Sequence, residues 1–206
     1  MRRALLQFVA PKDPQLAAEA RRLARAWIGD RSAIDPGLVD AVLVVAARTG
    51  DATLFDALLA EAKTTPDRLD RRNLTVALLA FTEPSLARKG MGILLDPDFD
   101  IRESGTALWN SFWSSSTRRE THEFIVTNFD ALANRVSRDA PGGWPHYASG
   151  LCSDADRADV AAFWKDRAAK YAGGERELAQ ALESIQLCTR LRSKYGNEVA
   201  AFLRVT

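Results

Sequence analysis

Ala52-Thr53-Leu54-Phe55-Asp56-Ala57-Leu58-Leu59-Ala60-Glu61-Ala62-Lys63 decides the fold class. Leu54, Phe55, Leu58 and Leu59 recur at the three- and four-residue spacing of one helix face. Two other stretches repeat the pattern. Ile125, Phe129, Leu132 and Val136 form one stripe, and Leu178, Leu182 and Ile185 form another. Helices are expected near residues 14–28, 36–49, 52–63, 66–81, 84–95, 101–113, 118–137, 155–171 and 175–193, with a short one near 196–204. The 36–49 segment is apolar nearly all round, which predicts burial on several sides. Val42 to Val45 is rich in β-branched residues but lies inside that Ala-rich helical run, so strand signals are nearly absent.

Helix starts are marked by capping side chains. Asp13-Pro14, Asp35-Pro36 and Thr65-Pro66 each set a capping residue before a first-turn proline. Thr117 with Glu120 reads as a capping box, and Ser153 with Asp156 as a variant of it. Short connections between helices imply antiparallel neighbours. Helix pairs recur with an irregular period, so the expected architecture is all-α: an irregular HEAT/armadillo-like α-solenoid of antiparallel helix pairs. The one longer connection, Ser137 to Cys152, holds Pro141-Gly142-Gly143-Trp144-Pro145 and has room for a short helix. No low-complexity linker divides the chain, and a single domain over 1–206 is expected.

Composition excludes several function classes. The 206 residues carry 28 Lys plus Arg against 27 Asp plus Glu, which leaves no electrostatic footprint for nucleic acid or anionic lipid. The Arg pairs Arg2-Arg3, Arg21-Arg22, Arg71-Arg72 and Arg118-Arg119 are scattered and read as solvated helix faces. No stretch approaches the roughly 20 apolar residues of a membrane span. The opening MRRALLQFVAPKD has an apolar run too short for a signal segment, broken at Pro11-Lys12-Asp13, and reads as the end of a helix.

Catalytic chemistry is sparse. Histidine, the usual base and metal ligand, occurs only as His122 and His146. His122-Glu123 matches the first two residues of His-Glu-x-x-His, but Val126 stands where the second zinc histidine belongs, so a helical polar position is the expected role. His146 lies among aromatics in Trp144-Pro145-His146-Tyr147, where packing at a helix junction is the expected role. Neither Cys152 nor Cys188 has a Cys-x-x-Cys partner or a neighbouring histidine. Gly142-Gly143 and Gly173-Gly174 read as turn formers, and no Gly-x-Ser-x-Gly elbow is present. Trp109 and Trp113 share a helix face; they either pack between repeats or form an aromatic patch on a concave wall.

Four segments in order carry a family resemblance: Phe99-Asp100-Ile101-Arg102-Glu103-Ser104; His122-Glu123-Phe124-Ile125 with Asn128-Phe129-Asp130-Ala131-Leu132; Leu151-Cys152-Ser153 with Ala155-Asp156-Arg157; and Leu178 through Ile185, ending Ala-Leu-Glu-Ser-Ile. Together they resemble the carboxy-terminal helical domain of the gluzincin aminopeptidases, the group of aminopeptidase N, puromycin-sensitive aminopeptidase and the endoplasmic-reticulum aminopeptidases. Departures are Glu103-Ser104-Gly105 where Gln-Asp often follows Ile-Arg, Leu151 where Phe is usual, and Phe124 after His122-Glu123 where Trp often precedes.

The resemblance implies a domain without catalytic residues or metal ligands of its own. It would cap the active-site cavity of a zinc-dependent aminopeptidase and limit which peptides enter. Zinc would lie in a catalytic domain upstream, and Met1 would fall partway through the helical domain. The implied partners are the amino-terminal and catalytic domains of the same polypeptide and the peptide substrate. The implied cavity-lining candidates are Arg102, Glu103 and Trp109. The competing expectation is a stand-alone helical-repeat scaffold that binds a protein. By the same resemblance Cys152 and Cys188 are candidates for a disulfide, two buried free thiols being the alternative. A bridge would place the parent enzyme in an oxidising compartment such as a periplasm, and requires Cα atoms within ~7 Å.

Overall fold

The computed structural model describes residues 2–204, and every regular element among them is helical. The chain is all-α. It separates into two compact units, Met1–Thr121 and His122–Thr206.

In the first unit the helices are α1 (Arg2–Val9), α2 (Pro14–Gly29), α3 (Val39–Arg48), α4 (Ala52–Thr64), α5 (Arg68–Leu78), α6 (Pro84–Gly92), α7 (Ile101–Ser104) and α8 (Leu108–Trp113). Helix α3 sits at the centre. It packs against α1, α2 and α5, and every residue from Val39 to Ala47 but Asp40 is buried. The all-round apolar segment is therefore central, as its pattern predicts. Leu54, Phe55 and Leu58 of α4 are buried as the stripe requires, and Phe55 meets Phe81 edge-on at 5.1 Å.

Arg31 joins three of these helices. Its guanidinium donates to the Trp27 and Ile28 carbonyls that end α2, lies 4.0 Å over the Trp27 ring, and pairs with Glu61 of α4 and Asp70 of α5. One planar fork thus satisfies helix-end carbonyls and two carboxylates at once.

The caps correct parts of the sequence reading. Asp13 caps α2 as expected, accepting from Gln15 and Leu16 N–H. Asp35 instead holds a turn through Gly37 N–H, and α3 begins only at Val39. Thr65 closes α4, while Asp67 caps α5 through Asp70 N–H. The Thr117 hydroxyl donates to the Ser111 carbonyl at 2.7 Å, and the Glu120 carboxylate faces Arg88 at 3.6 Å. The segment expected as one helix over 101–113 is α7 and α8 joined by a 3-10 turn at Gly105–Ala107. The 84–95 helix likewise finishes as a 3-10 turn at Ile93–Leu95.

Helix α9 (Arg118–Thr127) and α10 (Phe129–Ala133) replace the single helix expected over 118–137. Asn128 interrupts it: its side-chain amide donates to the Phe124 carbonyl, the local bond by which Asn competes with a helical ladder.

In the second unit Phe129 takes Trp144, Phe163, Trp164 and Tyr171 edge-on, with ring centres 5.4–6.1 Å away. The long connection forms a 3-10 helix over Ala140–Ala148 that packs against the two last helices. Those are α11 (Asp154–Ala168) and α12 (Gly174–Leu203). Ser153 caps α11 by accepting from Asp156 N–H, and the buried Asp156 carboxylate accepts in turn from Cys152 N–H at 3.4 Å. Gly173 turns the chain between α11 and α12 at φ +78°, where a Cβ is disfavoured. The two helices expected at 175–193 and 196–204 are one helix of 30 residues; Gly196 is carried inside it.

Cys152 and Cys188 are joined in a disulfide with Cα atoms 5.3 Å apart. It ties the start of α11 to the middle of α12. Among the described residues no cysteine is free.

Candidate functional site

The first unit carries a surface cleft of about 680 Å³ lined by Arg68, Leu69, Arg72, Asp100, Arg102 and Glu103. Helix α5 supplies the first three. Arg68 and Arg72 are four residues apart and so lie on one face. The other three belong to the start of α7, which is held in place by buried Phe99 and Ile101 on either side of Asp100.

Asp100 organises this end of the cleft. Its carboxylate caps α7 by accepting from Arg102 N–H at 2.9 Å, and it also accepts from the Arg102 guanidinium at 2.9 and 2.7 Å. The guanidinium bonds, then the backbone N–H, hold the Asp100 carboxyl down at about 2, well below its ordinary 3.8. Across the cleft Arg68 Nε donates to Glu103 Oε1 at 2.5 Å. Three guanidiniums thus face two carboxylates. Arg68 and Arg102 are each engaged with a carboxylate, and Arg72 is exposed.

The chemistry available here is recognition. Guanidiniums donate in a fixed fork suited to carboxylates, and the exposed Leu69 adds an apolar contact. Among the described lining residues there is no serine, cysteine, histidine or lysine to serve as nucleophile or base.

Of the residues singled out from sequence, Arg102 and Glu103 therefore meet in one cleft. Trp109 is not among its described lining residues. It stacks instead on Trp113, with ring centres 6.3 Å apart and planes at 23°, while the Phe112 edge meets both rings. Trp113 is 69% exposed and Trp109 is half-buried, so the two indoles form a surface patch above buried Phe112. Sequence reasoning missed Arg68, Leu69, Arg72 and Asp100. Arg71-Arg72 looks like any diluted basic pair, but Asp100 directly before Ile101-Arg102 was a readable cap signal.

Among the described residues no group of three or more His, Cys, Asp or Glu is placed to hold a metal ion. No helix among them is long and apolar enough to cross a membrane.

A family model described as the ERAP1-like C-terminal domain matches residues 1–187. No curated protein matches the chain.

Proposed function

The chain belongs to the ERAP1-like C-terminal domain family, and from that premise we propose that it is the non-catalytic cap of a zinc-dependent aminopeptidase. The match over residues 1–187 carries this reading. In it, zinc and the hydrolytic residues belong to a catalytic domain of the same polypeptide. The helical domain limits access to the active-site cavity, which selects peptides by shape and length rather than by bond chemistry. An irregular HEAT/armadillo-like solenoid of helix pairs is part of the same proposal, because such an array makes a concave wall with no chemistry of its own.

Arg102, Glu103 and Trp109 are the proposed cavity-facing residues. The guanidinium-rich cleft around Arg102 supports contact with a carboxylate of a long peptide, and the Trp109–Trp113 pair supports contact with apolar side chains. The Cys152–Cys188 disulfide supports an oxidising compartment for the parent enzyme.

The test is made on the parent enzyme and on this chain. The purified chain is expected to hydrolyse no aminoacyl substrate and to bind no stoichiometric zinc. In the parent enzyme, Arg102→Ala raises KM for long peptides and leaves single-residue aminoacyl substrates unaffected. Zinc retained by the isolated chain, or turnover abolished by His122→Ala, overturns the reading.

A further inference from the structure

The three arginines of the cleft are not equally occupied. Asp100 takes two N–H groups on one edge of the Arg102 guanidinium, Nε at 2.9 Å and Nη2 at 2.7 Å, and the same carboxylate caps α7. Arg102 and Asp100 are thereby tied into the helix start, and Asp100 leaves its place only by undoing the cap. Glu103 is held differently. The described bond to its carboxylate comes from Arg68 Nε, 35 residues away in sequence and across the cleft. The Glu103 side chain is 18% exposed and that of Arg68 77%, so the guanidinium stands at the solvent end of the pair. Arg72 lies one helical turn from Arg68 and is exposed, with no ion pair among the described residues. One arginine is therefore fixed, one is exchangeable and one is open.

We propose that Glu103 is a tethered competitor of the cleft's ligand: its carboxylate occupies on Arg68 the position that a peptide carboxylate takes when the cleft is filled. This rests on the reading that the cleft receives a carboxylate of a peptide, and it names the group that sets the affinity. Arginine clusters recognise acidic groups because each guanidinium presents a fixed fork of donors. The described lining carries three cations against two anions, which leaves one positive charge to attract an anion. An incoming carboxylate meets Arg72 first. It reaches the Nε edge of Arg68 only by displacing Glu103, which already accepts there. That exchange swaps one guanidinium–carboxylate bond for another and leaves the mostly covered Glu103 without its partner, so Glu103 weakens binding. Arg102 assists from its fixed place by neutralising Asp100, a charge that otherwise repels the ligand.

The alternative role for Arg68–Glu103, a plain tie between α5 and α7, has the opposite consequence. Loss of a tie loosens the cleft and weakens binding or leaves it unchanged, whereas loss of a competitor strengthens it.

Fluorescence anisotropy with the purified chain and three labelled peptides tests this. One peptide has a free carboxyl terminus, the second is its amide, and the third is the amide with a single internal glutamate. The two acidic peptides separate a terminal from a side-chain carboxylate. Glu103→Gln, which keeps the shape of the side chain, should bind the preferred acidic peptide about threefold to fivefold more tightly than wild type, the scale of one exposed ion pair. Glu103→Ala should give the same gain by a second route, and circular dichroism should show both variants folded. Arg72→Gln should weaken binding by at least as much, and in an Arg68→Gln background the gain from Glu103→Gln should vanish. The neutral amide should show no gain. Glu103 variants that bind no more tightly than wild type overturn the proposal; if Arg72→Gln still weakens wild-type binding, the carboxylate reading of the cleft survives that result. Failure of every variant to bind either acidic peptide overturns both.

Discussion

Gly90 rests directly on the backbone of Leu78: a methyl group at Gly90 would stand 2.2 Å from the Leu78 carbonyl oxygen. Both residues are buried, Leu78 ending α5 and Gly90 lying inside α6. Helix α6 approaches the end of α5 at backbone contact, and no rotamer change can make room because the obstacle is main chain.

Gly90→Ala should therefore destabilise the first unit by about 1–3 kcal/mol, the usual range for overpacking. Gly92→Ala is the control. It sits in the same helix with nothing within 4 Å of the added carbon. Its gain in helix propensity should leave stability unchanged or raised by up to about 1 kcal/mol. Urea unfolding of both variants checks the pair, and equal effects would falsify the backbone contact.

The Cys152–Cys188 bridge closes a loop over a sequence separation of 36. The chain-entropy relation for a loop of that size predicts about 4 kcal/mol of stabilisation, mostly by restricting the unfolded chain. Cys152→Ser with Cys188→Ser should lower the unfolding midpoint of the second unit. The first unit, whose core runs from Ala10 to Phe99, should keep its own midpoint. Denaturation followed by a probe in each unit distinguishes them. Reductant should reproduce the double variant, and reductant without effect would count against the bridge.

Asp100 offers a readout in the cleft. Its carboxyl is depressed in the folded state to about 2 from 3.8. The contribution to stability is therefore complete above the unfolded value of 3.8 and is lost as pH falls through about 2. Solvent reaches this group, so the effect on global stability is small. The midpoint itself is the measurement. Carboxyl-resolved NMR titration should place Asp100 near 2, and Arg102→Ala should move it up towards 3.8, leaving the backbone bond and the Arg68 charge to hold it down. An unmoved midpoint would show that the guanidinium is not the cause.

Helix existence was legible because it depends on local pattern. The Leu54–Leu58 stripe, the Asp13 and Ser153 caps and the all-apolar α3 segment act within a few residues of themselves. Helix ends were less so. Asn128 breaks a run that its apolar period would continue, because a side-chain amide competes for the Phe124 carbonyl. Thr65-Pro66 yields its expected capping role to Asp67, whose carboxylate reaches the free N–H of Asp70.

The candidate site divides the same way. Arg102 and Glu103 stood out through the motif around them, but their partners did not. Arg68 lies 35 residues before Glu103, and only the packing of α5 beside α7 brings the two together. Trp109 and Trp113 share a face by helical period alone, yet only burial tells that Phe112 takes the interior and Trp113 the solvent. What the sequence by itself determined is the all-α class, the positions of most helices and the family, since these rest on short-range periodicity and ordered motifs. The tertiary structure decided the cleft and the Arg31 junction. Each of these depends on which distant residues remove water from a surface and which leave it wet, and no local pattern records that.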